Sequence, residues 1–242
     1  MQYWAMTDPG CVRTENQDAY LTEALDGALL CVVCDGMGGA KSGNVASALA
    51  VEIFAQAVKA SWRPGLEQKS VDTLLLHAVK ITNFTVYDQA MNCEDFSGMG
   101  TTLAAMLVET DRITVVNVGD SRAYRVNADG IRQVTKDHSL VQMMVDRGEL
   151  TAEAARSYPG KNMITRAIGT EATVQGDVFH LQPQWGETLV LCTDGLTNLV
   201  EDQEILFEIM YSEDRQICCR RLLDIAINRG APDNVTCILI QV

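Results

Sequence analysis

The sequence predicts an α+β fold in which two antiparallel β-sheets pack face to face and helices cover their outer sides. Short apolar runs, partly β-branched, follow one another as hairpins, and longer stretches with helical spacing interrupt them in pairs. Hydrophobic residues make up 47% of 242 positions, which is enough for a substantial core. Two packed sheets with helices outside would bury both faces of each sheet.

The strand candidates are short, and several follow one another directly. They are residues 28–34, 102–108, 113–118, 123–126, 188–192 and 235–242. The polar stretch 109–112 predicts a hairpin loop, and Asn-Ala-Asp-Gly at 127–130 predicts another turn. Consecutive hairpins imply antiparallel pairing.

Apolar residues at helical spacing predict helices, whose stripes should face the core. The candidates are residues 42–62 and 70–90, then a pair at 205–210 and 217–227. The stretch 137–169 mixes a short helical piece with glycine and proline, and it reads as a flap-like insertion over one end of the fold. The chain is therefore expected to form a single domain, 1–242, with this insertion.

The net charge of −13 argues against nucleic acid and anionic membranes as main partners, although a local basic spot could still bind a phosphate. The first residues show neither a basic nor an apolar targeting region. Apolar runs stay well short of the roughly 18 residues that would suggest a membrane helix. A cytoplasmic protein is the simplest expectation.

The eight cysteines are expected to be reduced. Cys31 and Cys34 match a CxxC pattern, but residues three apart on a strand point to opposite faces and could not share a metal or a bridge. We interpret them as small core hydrophobes. For Cys218 and Cys219 on one helix we expect one buried thiol and one exposed thiol.

Aspartates at the ends of apolar runs predict a metal site. Asp35 and Asp194 are each followed by glycine and preceded by a strand-like run, so each places a carboxylate at the rim of a sheet. Asp120 follows another apolar run, and Asp233 precedes one. Converging carboxylates repel one another unless cations hold them, and Mg²⁺ or Mn²⁺ prefers oxygen ligands.

A set of short motifs runs in order along nearly the whole chain. They are Arg13 with Asn16-Gln17-Asp18, Asp35-Gly36-Met37-Gly38-Gly39, Gly98-Met99-Gly100-Thr101-Thr102, Gly119-Asp120-Ser121-Arg122, Asp137-His138-Ser139, Ile164-Thr165-Arg166-Ala167-Ile168-Gly169, Thr193-Asp194-Gly195 and Asp233-Asn234-Val235-Thr236. Through these motifs the chain resembles the metal-dependent serine/threonine protein phosphatases, the PPM family, in their compact bacterial form. Any single motif is weak, because DG and DN pairs are common turns, whereas eight in order are specific.

The resemblance implies a four-layer fold, a β-sandwich flanked by helices, with a binuclear metal centre at one end of the sandwich. By resemblance, Asp35 bridges both metals and the Gly36 carbonyl binds one of them. Asp194 and Asp233 correspond to ligands of the other metal. Two ions, Mn²⁺ or Mg²⁺, would activate a bridging water for in-line attack on a phosphoserine or phosphothreonine ester.

Further site roles come from the same resemblance. Asp18 corresponds to a position that holds metal-bound water, and Asp120, with Asp194, to one that holds a weaker third ion. Arg13 corresponds to the residue that grips the substrate phosphate, and a guanidinium fork suits two phosphate oxygens. Gly38 and Gly39 would let backbone and ions approach closely.

The sequence leaves the proton donor to the leaving group open. Some members of the family, mainly eukaryotic, carry histidine where Met37 stands, and methionine cannot donate a proton. Metal-bound water or another group must serve, and His138 is a conceivable substitute, although a structural or loop role is favoured for it. His77 and His180 are interpreted as packing or surface residues.

Two other functions remain as alternatives. A non-catalytic member of the fold would bind a phosphoprotein or a partner, but it should lose a core carboxylate, and Asp35, Asp194 and Asp233 are all retained. A small-molecule phosphohydrolase with an aspartyl nucleophile should carry DxD where Asp35-Gly36-Met37 stands. By resemblance, the expected partners are phosphorylated proteins, including a bacterial serine/threonine kinase and its substrates. The chain is expected to be monomeric.

Overall fold

The computed structural model describes residues 1–38 and 42–242, so Gly39 lies outside the described residues. In these ranges the chain forms two antiparallel sheets with helices on their outer faces, as the sequence predicts.

The first sheet has five strands and joins the two ends of the chain. Its order is β1 (Gln2–Asp8), β11 (Val235–Gln241), β10 (Thr188–Cys192), β7 (Arg122–Asn127) and β8 (Gly130–Gln133). Because β11 lies between β1 and β10, the last strand of the chain is central to this sheet.

The second sheet has six strands and contains the first long apolar run. Its order is β2 (Asp18–Leu25), β3 (Ala28–Met37), β5 (Leu103–Glu109), β6 (Ile113–Val118) and β9 (Asp177–Leu181), with β4 (Gly100–Thr101) paired to the end of β3. The β5–β6 hairpin closes at 109–112, where the sequence predicts it.

The helices are α1 (Gly43–Ser61), α2 (Gln68–Asn92), α3 (Leu140–Asp146), α4 (Ala152–Ala155), α5 (Asp194–Thr197), α6 (Asp202–Tyr211) and α7 (Arg215–Asn228), with a short 3₁₀ turn at Glu94–Phe96. The predicted helices at 42–62, 70–90, 205–210 and 217–227 and the short helical piece in 137–169 are present with shifted ends, whereas the short helices α4 and α5 have no separate prediction. Within the described ranges, no helix is long and apolar enough to cross a bilayer.

Three apolar layers fill the molecule. The central layer lies between the two sheets and includes Cys31, Met106 and Leu191. A second layer lies between the β3 sheet and the α1–α2 pair, and a third lies between the β11 sheet and the α6–α7 pair. Each sheet therefore buries both faces, which confirms the expected four layers.

The strands that the sequence does not predict lie at the edges of the sheets. No strand candidate in the sequence covers β1, β2, β8 or β9. These strands contain mostly exposed and half-buried residues, whereas β5 and β6 are buried throughout. Partial exposure allows polar residues, which weakens the hydrophobic pattern.

The structure confirms the prediction for Cys31 and Cys34 and contradicts the one for Cys218 and Cys219. Cys31 lies in the central layer and Cys34 under α1–α2, so the CxxC thiols do point to opposite faces. All eight thiols lie in the described part of the chain and are unpaired. The prediction for Cys218 and Cys219 is wrong, because both are fully buried. Helix α7 packs against β1, β11 and α6, so it is covered on more than one side.

Candidate functional site

The site begins with two aspartates that lie opposite each other on neighbouring strands. Asp18 is the first residue of β2, and its antiparallel partner on β3 is Asp35. The pairing of the strands alone therefore brings these two carboxyls to one end of the sandwich.

Two threonines of the other sheet hold Asp18. The hydroxyls of Thr193 and Thr236 donate to Asp18 Oδ2 at 2.8 and 2.6 Å. Asp18 Oδ1 is buried and has no hydrogen-bond partner among the described residues. Burial raises the pKa of Asp18 to about 7, opposed by the two hydroxyls and reinforced by Asp194 and Asp233.

The backbone of Asp35 is fixed by the start of β5. Its N–H donates to Thr102 Oγ1 at 2.8 Å, and its carbonyl accepts from the Thr102 N–H at 2.9 Å and from the Thr101 hydroxyl at 2.8 Å. These three hydrogen bonds fix the position of the Asp35 backbone and therefore the point from which its side chain extends.

Asp194 follows β10 and opens the short helix α5. Asn198 donates to Asp194 Oδ2 at 2.8 Å. Burial raises the pKa of the Asp194 carboxyl, and nearby Asp233 adds to the rise. Hydrogen bonding from Asp35 and Asn198 opposes this rise in the pKa of Asp194.

Asp120 lies on the turn between β6 and β7 and is only 8% exposed. Burial raises its pKa to about 8, followed by repulsion from Asp194 and Asp137. The Arg122 guanidinium opposes this rise, although it is also bound to Asp137 through its Nε and Nη2 at 2.7–3.1 Å.

Arg13 reaches the same centre from the loop between β1 and β2. Its Nη2 donates to Asp233 Oδ2 at 3.0 Å. The buried side chain of Asn234 fastens this loop, because its Oδ1 accepts from the Gln17 N–H at 2.7 Å and its Nδ2 donates to the carbonyls of Pro9 and Glu15.

Gly36 lies where the end of β3 meets the first residue of α1. A side chain at Gly36 would place its Cβ 2.0 Å from the Gly43 carbonyl oxygen, so no larger residue fits. The Gly36 N–H donates to the Gln17 carbonyl at 3.0 Å, which ties this strand end to the loop that carries Arg13.

The electrostatics of Asp35 show that the predicted carboxylates converge. Its pKa is raised well above the ordinary range by burial first, and then by repulsion from the other four candidates. These are, in decreasing order of effect, Asp18, Asp194, Asp120 and Asp233. The structure thus brings together all five aspartates that the sequence singles out, together with Arg13.

The donor set fits hard divalent cations. Within the described residues, no cluster of three or more His, Cys, Asp or Glu side chains already has the geometry of a metal-ion site. The pKa values of Asp18, Asp35, Asp120 and Asp194 are all raised by burial, and Asp18 keeps one buried oxygen without a partner among the described residues. Bound cations would offset the mutual repulsion of these carboxylates and use oxygen donors that Mg²⁺ and Mn²⁺ prefer.

A cavity of about 820 Å³ opens beside the carboxylates. Asp120 and Asp194 line it on one side, and residues of α3, α4 and α6 form the walls. The bridge between Ser139 and Ile164 closes the segment 139–164 within the predicted insertion 137–169, and Arg156 and Lys161 of this segment add positive charge to the cavity lining. The space is large enough for several residues of a peptide.

The histidines lie apart from these carboxylates. His180 is exposed and bonds Asp72 at 2.8 Å, and His77 is exposed on α2, so both are surface residues. His138 is buried, and its ring nitrogens face Gly119 on one side and Asp177 and Arg166 on the other.

Sequence reasoning assigns no role to Thr102, Thr193, Thr236 or Asn234, although the structure uses each to hold a site residue. The sequence does place Thr193, Asn234 and Thr236 within three residues of a candidate aspartate, and it places Thr102 at the start of a predicted strand. These positions are the only sequence signal for a supporting role. Their polar side chains are also buried, which only the fold reveals.

Comparison with known proteins gives a consistent result. The family model for protein phosphatase 2C matches residues 12–216. The chain is 36% identical over 240 residues to the serine/threonine phosphatase stp of Listeria innocua, covering 97% of this chain and 93% of that protein.

Solved structures show the same similarity. The serine/threonine phosphatase Stp1 from Staphylococcus aureus superimposes with a TM-score of 0.92 at 34% identity, covering 100% of this chain and 94% of that one. The catalytic domain of the serine/threonine protein phosphatase PstP, in complex with two manganese ions, gives 0.84 at 32% identity, with 98% and 96% covered.

Proposed function

This chain belongs to the protein phosphatase 2C family, and we propose that it hydrolyses phosphoserine and phosphothreonine esters on proteins with two divalent metal ions, Mn²⁺ or Mg²⁺. It is a protein-serine/threonine phosphatase. When bound, the ions supply a water of lowered pKa for attack on phosphorus and neutralise charge on the phosphate.

Each of the five aspartates has its own proposed role in binding the ions. Asp35, whose pKa is raised by all four other aspartates, would serve both ions, together with the Gly36 carbonyl on one of them. Asp194 and Asp233 would hold the other ion. Asp18 would hold metal-bound water through its unpartnered Oδ1, and Asp120 with Asp194 would hold a weaker third ion. The support is the raised pKa of Asp35, to which all four other aspartates contribute.

Arg13 binds the substrate phosphate. Its exposed guanidinium already lies at the edge of the carboxylate cluster, bonded to Asp233. A guanidinium can bind two phosphate oxygens at once and can hold the ester in line for attack. Met37 carries no acidic proton, so the leaving-group proton comes from water in the site rather than from this position.

The segment 137–169 forms a flap-like insertion within one phosphatase domain that spans 1–242. Its helices α3 and α4 contain no buried residues and form one wall of the cavity, which supports a role in contacting the protein substrate. The substrates are phosphorylated proteins, and we propose among them a bacterial serine/threonine kinase and its targets.

The protein acts in the cytoplasm as a monomer. Eight unpaired thiols suit a reducing compartment, and one chain supplies every candidate ligand and Arg13. Size-exclusion chromatography with light scattering should give a mass near 26.5 kDa. A stable dimer would contradict the monomer.

The decisive experiment follows phosphate release from a phosphothreonine peptide by metal-stripped protein, before and after addition of Mn²⁺, with Asp35→Asn beside it. Hydrolysis should require both the metal and the native Asp35. A folded protein that stays inactive with Mn²⁺ and with Mg²⁺ would refute the phosphatase and favour the phosphoprotein-binding alternative.

A further inference from the structure

His138 lies at the base of the segment 139–164, 6% exposed, and both of its ring nitrogens are engaged. The Gly119 N–H donates to Nδ1 at 3.1 Å, and Nε2 lies 3.1 Å from Asp177 Oδ2. Nη1 of Arg166 lies 3.2 Å from the same Nε2 and donates to Asp177 Oδ1 at 3.0 Å, so Asp177 is shared by His138 and Arg166. Because Nδ1 accepts, the neutral ring carries its proton on Nε2 and donates it to Asp177. Burial is the largest influence and lowers the pKa of His138, so the ring is neutral at pH 7.

The backbone of His138 contacts the same neighbour. Its N–H donates to the Gly119 carbonyl at 2.9 Å, so ring and backbone together bind both polar groups of Gly119. The Thr165 N–H donates to the His138 carbonyl at 2.7 Å, and Ser139 pairs with Ile164. His138 thus joins the base of the segment to the turn that carries Asp120.

Gly119 is confined on its other side by Thr102. Its φ of +106° and a Cβ position 2.6 Å from Thr102 Cγ2 leave no room for a side chain. Thr102 Oγ1 in turn accepts from the Asp35 N–H at 2.8 Å and lies 2.7 Å from the Ser121 hydroxyl. A shift of Gly119 would therefore move Asp120 and disturb the residue that holds Asp35.

We propose that His138 is a positioning residue for the hydrolysis, whose Nδ1 fixes the Gly119–Asp120 turn and thereby places the Asp120 carboxylate against Asp194. The proposal rests on the proposed phosphatase function. His138 does not deliver the leaving-group proton, because its Nε2 proton is directed to Asp177. Asp137 and Ser139 line the cavity, whereas His138 is not among the described residues that do.

Two variants test the contacts of His138 Nδ1 and Nε2 separately. In His138→Asn the side-chain oxygen takes the place of Nδ1 and can still accept from Gly119, but the contact with Asp177 is lost. In His138→Gln the amide takes the place of Nε2 and reaches Asp177, while Gly119 loses its acceptor. Supporting groups around metal ligands typically change affinity or activity by about 10- to 100-fold.

The first measurement is Mn²⁺ binding by calorimetry, with the melting temperature of the metal-free variants as a control for folding. We expect His138→Gln to weaken the weakest Mn²⁺ site about tenfold, and His138→Asn to stay within about threefold of the native protein. Equal Mn²⁺ binding in the native protein and His138→Gln would overturn the proposal. So would equal losses in both variants that follow the melting temperature.

The second measurement compares kcat on a phosphothreonine peptide with kcat on p-nitrophenyl phosphate, whose leaving group departs without a proton. Positioning predicts that His138→Gln lowers both kcat values by the same factor. A loss confined to the peptide would identify His138 as a proton donor and overturn the proposal. If the native protein hydrolyses neither substrate with metal, the phosphatase function fails, and Mn²⁺ binding still tests His138.

Discussion

The carboxylates at the sheet ends and the residues around the cavity are held in opposite ways. Asp18 is 8% exposed, paired with Asp35 across two strands and bound by two buried threonines. The Arg13 side chain is 50% exposed, and its hydrogen bond to Asp233 is made at the surface. Asp18 and Asp35, two of the proposed ion-holding residues, lie on strands, whereas Arg13, the proposed phosphate-binding residue, lies on a loop.

The segment 139–164 also combines a firmly bonded base with an exposed outer surface. It is tied to the rest of the molecule by exposed ion pairs, such as Lys136–Asp146 at 2.6 Å and Arg156–Glu201 at 3.9 Å. Its firm attachment is at its base, where His138 and Ser139 pair with Thr165 and Ile164. Mutations should therefore act strongly at the sheet ends and at the base, and weakly on the outer surface.

Asp35→Asn should have the largest effect. It removes a charge from the centre of the cluster, so we expect kcat to fall by at least about 10³-fold, while the fold remains. The metal-free variant should be no less stable than the native protein, because the change also removes repulsion. Steady-state kinetics and thermal melting test this, and native-like activity would remove Asp35 from its proposed role.

Thr236→Val should follow. The threonine hydroxyl donates to Asp18 Oδ2 at 2.6 Å, and valine keeps the shape without the donor. We expect kcat and Mn²⁺ affinity to fall about 10- to 100-fold, measured by kinetics across a Mn²⁺ titration. Thr236→Ser keeps the hydroxyl and is the matched control; equal losses in both variants would point to packing instead.

The pH dependence of stability tests the inner cluster directly. The pKa of Asp18 is raised from 3.8 to about 7, and that of Asp120 from 3.8 to about 8. Between the unfolded value of 3.8 and these raised values, the folded metal-free protein therefore binds more protons than the unfolded chain. Its free energy of unfolding should therefore fall as the pH rises from about 4 to 8. Urea unfolding at several pH values measures this, and saturating Mn²⁺ should remove the decline. A metal-free stability that rises across this window would contradict the cluster.

Arg13→Ala should act mainly on substrate binding. Losing one exposed phosphate contact should raise KM for a phosphothreonine peptide about tenfold with little change in kcat. Arg13→Lys keeps the charge without the fork and should recover part of the loss. A large fall in kcat at unchanged KM would instead place Arg13 in the chemical step.

Arg156→Ala should have the smallest effect. Its ion pair with Glu201 is long and largely exposed, so stability should change by less than about 0.5 kcal/mol. Arg156 also lines the cavity, but p-nitrophenyl phosphate has no peptide chain to contact it, so kcat/KM for this substrate should stay within about twofold, measured beside a phosphopeptide. A loss of stability comparable to a core mutation would show that this surface contact fastens the segment.

Much of the architecture could be predicted from local sequence. The buried strands 113–118 and 188–192 have their predicted bounds, because continuous apolar runs are typical of strands buried on both faces. The edge strands β1, β2 and β8 could not be predicted, since half-exposed strands carry polar residues. The two buried thiols of Cys218 and Cys219 show the same limit, because local spacing does not reveal what covers a helix.

The sequence by itself determined the fold class, the aspartates at strand ends and the family, because strand-forming runs and short ordered motifs are local properties. The tertiary structure alone decided which polar groups support them. Thr236 reaches Asp18 across 218 residues and His138 reaches Gly119 across 19, contacts that arise only when strands pair and sheets pack. Burial then raises the pKa values of these carboxyls, because removal from water penalises their charged form. The local sequence does not reveal how deeply each carboxyl is buried.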